Sequence, residues 1–189
     1  MFSACVHSPS PTINDKFVSS IVPNAVLISG PITDLSKHIA LLLGEAVSGR
    51  PVWIIINSPG GGTRPGMEFV KMMEEIKKDQ EINCIVTDEA ASMAFVIFSH
   101  CTNRYVYSNS QLMFHEVALF INEPMRIPMS VLRELAEDVD GSEKAMNQSI
   151  EELKFPKYVK SYYIMNSIEW SAKDYIDSYG THWMQLIEE

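Results

Sequence analysis

Ser92 and His115 are the residues of this 189-residue chain best suited to nucleophilic chemistry. Ser92 lies in Ala90-Ala91-Ser92-Met93-Ala94, a run of small residues that suits a turn. His115 closes Met113-Phe114-His115, twenty-three positions later. A serine hydroxyl is a weak nucleophile until a neighbouring base takes its proton, so the pair matters only if folding joins them. A third segment supplies the remaining ingredient. Ile54-Ile55-Ile56 reads as a buried strand running into Asn57-Ser58-Pro59-Gly60-Gly61-Gly62, a turn whose backbone N–H groups suit a developing oxyanion. Each segment also has a plainer reading: a small residue starting a helix, a structural histidine, a simple glycine turn. No Gly-Lys-Ser/Thr follows the glycines, so a phosphate loop is not indicated. Lys71, Lys77 and Lys78 fall mostly on the polar face of the following helix, which leaves no buried lysine for a Ser-Lys pair. His7, His38, His100 and His182 have no comparable context.

The elements that must position these residues alternate between strand and helix. A strand over 25–29 is closed by Gly30-Pro31, and Thr33 or Asp34 is a candidate cap for a helix over 35–47. The unbroken apolar run 52–56 is the pattern of a strand covered on both faces. Pro65 or Gly66 opens a helix to about Lys78, with Met67, Val70, Met73 and Ile76 on one face. A strand over 82–87, a helix over 92–101 and strands over 104–107 and 111–115 follow. Residues 128–153 form a long amphipathic helix that Gly141-Ser142 interrupts or kinks, and Ser171 opens a short closing helix. Such alternation implies an α/β fold of right-handed ββα units. Residues 1–22, with two prolines and several serines, read as a flexible arm, and residues 23–189 as one domain.

Composition narrows the function. A net charge of −9 argues against a nucleic-acid partner, which needs clustered Lys and Arg. Residues 93–98, the longest apolar stretch, are too few to span a bilayer, and the N-terminus has no secretory pattern. Cys5, Cys84 and Cys101 lack metal-ligand spacing. Cys84, inside an apolar run, reads as a small buried hydrophobe in a reducing cytoplasm.

Taken in order, Ile56-Asn57-Ser58-Pro59-Gly60-Gly61, Gly66-Met67, Ala90-Ala91-Ser92-Met93, Asn109-Ser110 and Met113-Phe114-His115 resemble the Clp protease proteolytic subunit (ClpP) family. The resemblance spans about 24–180 and weakens after His115. It implies a ClpP/crotonase-like α/β fold with a protruding helical handle over about 120–160. It also implies a serine endopeptidase with Ser92 as nucleophile, His115 as base, and Gly61 and Met93 as backbone oxyanion donors. No metal or organic cofactor is implied. The family forms two stacked heptameric rings and receives unfolded polypeptide from an AAA+ unfoldase, which alone uses ATP. Ile55 stands where relatives often carry a tyrosine that helps dock the unfoldase.

Three departures accompany the resemblance. Ala94 replaces a family glycine, and the Ser92–His115 spacing is about two residues short. The family's orienting aspartate maps to Ser167, beside Asn166, and neither is acidic. Three arrangements remain open: a neutral hydrogen bond from Asn166 or Ser167, a short register shift that brings in Glu169, or a Ser-His dyad. A non-catalytic or weakly active ring subunit is the rival function, and acyl-CoA chemistry on the crotonase fold a more distant one. A specialised virus-borne protease is a further variant.

Overall fold

A computed structural model describes residues 14–115, 117, 127–152, 168–171 and 184–187. The elements follow the expected alternation: α1 (Asp15–Ile21), a 3-10 turn (Val22–Asn24), β1 (Val26–Ser29), α2 (Ser36–Val47), β2 (Val52–Ser58), α3 (Thr63–Ile76), β3 (Ile82–Ala91), α4 (Met93–Ser99), β4 (Asn103–Val106), β5 (Gln111–Phe114), α5 (Met129–Glu152), β6 (Ile168–Ser171) and β7 (Gln185–Leu186).

Strands β1, β2, β3, β4 and β7 lie side by side in one parallel sheet. Strand β3 is longer than its neighbours. Its first half pairs with β4, its second half pairs in parallel with β5, and β5 carries β6 antiparallel on its far side. A parallel sheet buried on both faces explains why β2 reads as an apolar run with Ile54 and Ile56 fully inaccessible. Helix α4 is buried over its whole length, with Phe95 and Phe98 inaccessible, which accounts for its lack of a polar face. Leu42 of α2 and Phe69 and Met73 of α3 complete the core. On the other face Val18 of α1 packs with Ile85, Tyr105 and Ile187, and Trp53 stacks on Tyr105 and meets Phe17 edge-on.

Several expectations need adjustment. Where the structure describes the N-terminal segment, from Asn14 on, it is a helix seated on the sheet rather than a loose arm; residues 1–13 lie outside the described set. Neither Thr33 nor Asp34 is the cap residue of α2. Leu35 holds that position without a side-chain bond, while Asp34 Oδ1 accepts from Ser36 N (2.8 Å) and Oγ (2.7 Å). Helix α3 starts at Thr63, before Pro65, because proline is tolerated in a first turn where its missing N–H has no partner to lose. Gly141-Ser142 does not interrupt α5, which is continuous. Ser171 belongs to β6, and the rest of the expected closing helix lies outside the described residues. Cys84 is buried as expected but is not a free thiol: it is disulfide-bonded to Cys101, with Cα atoms 5.9 Å apart. Among the described residues no helix is long and apolar enough to cross a membrane.

Candidate active site

Ser92 is the hinge between β3 and α4. Its backbone sits at φ 53°, ψ −122°, and it alone among the described non-glycine residues has a positive φ. Such a conformation costs about 1–3 kcal/mol and persists only where surrounding contacts over-determine it. Three contacts hold it. The Ser92 N–H donates to Met113 O on β5 (2.8 Å), its carbonyl accepts from Val96 N (3.2 Å), and the glycine turn after β2 presses on its Cβ. A strained strand-to-helix turn lifts the hydroxyl clear of the backbone, the device that exposes a nucleophilic serine in α/β hydrolases. Met93 to Ser99 are all buried, whereas Ser92 itself is half-exposed.

The glycine turn is built by Ser58 at the end of β2. Its Oγ donates to Gly30 O (2.7 Å) and accepts from Gly60 N (3.1 Å), folding the chain back toward β1. Ile32 then brackets the next residues: its N–H donates to Gly60 O and its carbonyl accepts from Gly62 N, both at 2.8 Å. In this parallel bridge Gly61 is the residue skipped, so its own N–H points to the edge away from Ile32. Gly60, at φ 88°, lies against the serine hinge. A Cβ added there would stand 2.7 Å from Ser92 Cβ and 2.9 Å from Met93 N, and nearer still to Ala91 O. Gly66 on α3 does the same service from the other side, since a Cβ there would strike the Met93 side chain. The structure thus brings the Gly60-Gly61 turn, Ser92 and Met93 into contact. Met93 is the first residue of α4, where backbone N–H groups have no intrahelical partner.

His115 follows β5 directly, two residues beyond the carbonyl that holds the Ser92 amide. Its approach depends on Ser110, whose buried Oγ donates to Val86 O (2.9 Å) and accepts from Tyr107 N (3.1 Å). That jog separates β4 from β5 and lets the chain pair with β3 a second time, now beside the serine. Phe114 meets Phe95 of α4 with ring centroids 6.0 Å apart, tying the end of β5 to the serine's helix. His115 is half-buried. Ile168 of β6 pairs with Phe114, and Glu169 pairs with Met113. Asn166 and Ser167 lie outside the described residues.

Ser58 and Ser110 have no separate role in the sequence reading, and Gly60 and Gly66 enter it only as a turn residue and a helix start, yet all four set the site's geometry. The signals were present in a serine before Pro-Gly and an Asn-Ser turn between two strands. A cleft of about 940 Å³ opens between α3 and α5, starting at Thr63 and Arg64 just after the glycine turn; neither Ser92 nor His115 lines it. At its deep end the His100 ring, buried, meets Glu74 Oε1 through Nδ1 at 2.8 Å. Partial burial pushes the Glu74 carboxyl up, but hydrogen bonds from Lys77 and His100 outweigh it and leave its pKa below the ordinary value. Among the described residues no three His, Cys, Asp or Glu side chains are grouped to share a metal ion.

A serine in a strained strand-to-helix turn, a glycine turn against it and a histidine at the next strand's end match the resemblance in the motifs. The family model for Clp protease matches residues 14–167, which include Ser92, His115, Gly61 and Met93. The match covers well over half of the 189 residues, and the mixed α/β sheet is the fold that it implies. The chain belongs to the Clp protease family.

Proposed function

We propose that the chain is a serine endopeptidase subunit in which Ser92 attacks the peptide carbonyl while His115 takes its proton. Carbon–oxygen bond formation gives a tetrahedral intermediate whose oxyanion is held by the N–H groups of Gly61 and Met93. His115 then returns the proton to the leaving amine, the peptide C–N bond breaks, and an acyl group remains on Ser92. Water, deprotonated by the same histidine, hydrolyses that ester. The observation that carries this reading is the strained Ser92 hinge packed against the Gly60-Gly61 turn, with its amide tied to the strand that His115 directly follows. These groups are sufficient for hydrolysis, so no metal or organic cofactor is assigned.

The third member is assigned to Asn166 or Ser167. They are the two residues before Ile168, the partner of Phe114, which is His115's neighbour in the chain. An amide or hydroxyl orients the imidazole but adds no negative charge to stabilise its protonated form, so turnover slower than that of an acidic triad is expected. By family resemblance, the substrates are unfolded polypeptides, delivered by an AAA+ unfoldase that alone uses ATP. The same resemblance assigns the chain to a chamber of two stacked heptameric rings in the cytoplasm. Helix α5, of 24 residues and thus about 36 Å long, is the natural ring-to-ring handle. The missing acid also favours a second reading, a ring subunit with little or no activity of its own.

The test is hydrolysis of a denatured protein substrate by wild type, Ser92→Ala and Asn166→Ala, with a sizing measurement beside it. Hydrolysis lost in Ser92→Ala and reduced in Asn166→Ala supports the triad with a neutral third member. Hydrolysis lost only in Ser92→Ala supports a dyad. No hydrolysis by an assembled wild type supports the inactive subunit.

A further inference from the structure

Ser92 sits at the tip of a strand–turn–helix unit whose two legs are joined by a bond that peptide hydrolysis does not use. Cys84 lies in β3 and Cys101 two residues beyond the end of α4, separated by 17 positions, and their disulfide closes a loop with the serine hinge inside it. Both side chains are almost wholly buried, at 0% and 2% exposure, within the core cluster that also contains Met93, Phe95 and Phe98. Helix α4 is therefore anchored at both ends: through Ser92 N–H to β5, and through Cys101 to β3.

We propose that Cys84 and Cys101 form a redox staple that controls how firmly the Ser92 hinge is held; this rests on the peptidase reading only for its consequence on activity. In reducing surroundings the pair is a dithiol. A low-molecular-weight disulfide such as oxidised glutathione closes it by two exchanges. Cys101, where the chain leaves α4 for the exposed Thr102, is reached first on local opening of that helix end. Its thiolate attacks one sulfur of the small disulfide and expels a thiolate. The Cys84 thiolate then attacks the Cys101 sulfur and expels the second. Two protein thiols give up two electrons and two protons, and one small disulfide becomes two thiols. Closure removes freedom chiefly from the unfolded chain, so the unit opens less often with the staple in place.

The experiment uses the full chain carrying Cys5→Ser, with Cys101→Ser and Cys84→Ala as separate further variants, each equilibrated with reduced or oxidised glutathione. The expected result is loss of two hydrogen masses in the parent without a glutathione adduct, and a melting midpoint roughly 6–12 °C higher in the oxidised state. Neither further variant is expected to respond. Labelling of Ser92 by a fluorophosphonate survives heating longer in the oxidised parent. Thiols that stay reduced in the folded parent, or a bond that forms without moving the midpoint, overturn the proposal. If neither redox state labels, the peptidase reading fails, while mass and midpoint still judge the staple.

Discussion

Gly60→Ala separates two effects that glycines at positive φ usually confound. Gly49, just after α2, has φ 71° and nothing within 4 Å of an added Cβ, so Gly49→Ala reports the backbone penalty alone. That penalty is about 1–2 kcal/mol, or roughly 2–8 °C in melting midpoint for a chain of this size. Gly60, at φ 88°, carries a similar penalty plus overlap: 2.7 Å to Ser92 Cβ, where non-bonded carbons ordinarily rest about 3.5–4 Å apart. Relieving it moves the turn away from the hinge by about 1 Å. Overpacking adds about 1–3 kcal/mol, so Gly60→Ala melts below Gly49→Ala by several degrees. The larger consequence is chemical, because the displaced turn carries the Gly61 N–H, the proposed oxyanion donor. Loss of one oxyanion donor, or a shift of that size, lowers rate about 100-fold or more. Differential scanning fluorimetry and the second-order rate of fluorophosphonate labelling measure both. Gly49→Ala should label at the wild-type rate. Equal midpoints for the two variants, with wild-type labelling by Gly60→Ala, would refute the reasoning.

Two further outcomes are expected. Because Ser92 is strained at φ 53°, Ser92→Gly should melt higher than Ser92→Ala by about 1 kcal/mol of stability, and both should be inactive if Ser92 is the nucleophile; thermal melts in parallel decide it. Glu74 has a folded pKa below its ordinary value, so its pairing stabilises the fold above the ordinary glutamate range and stops doing so as pH falls through the depressed value. The midpoint gap between wild type and Glu74→Gln should therefore be widest at neutral pH and close in acid, and a gap that widens in acid would contradict this.

Strand and helix identity followed from local pattern wherever one physical term dominated. The apolar run at Ile54-Ile55-Ile56, rich in β-branched residues and followed by a glycine turn, reads as a strand covered on both faces, and Met67, Val70, Met73 and Ile76 mark the inner face of α3. Boundaries moved where tertiary contacts decide them: β3 extends to Ala91 because β5 pairs with its second half, and no local residue signals that pairing. The hinge geometry is likewise non-local. Gly60 is informative only once Ser92, thirty-two positions away, is known to lie against it. Cys84 reads as one more hydrophobe because its partner follows it through an intervening turn and helix, a separation that carries no spacing signature.

The most direct test of the central claim is the site of covalent modification. Wild-type protein treated with a fluorophosphonate, digested and sequenced by mass spectrometry should carry a single adduct on Ser92, and His115→Ala should slow its formation by at least ~100-fold. An adduct on another serine, or unmodified Ser92 in an assembled, folded wild type, would contradict the account.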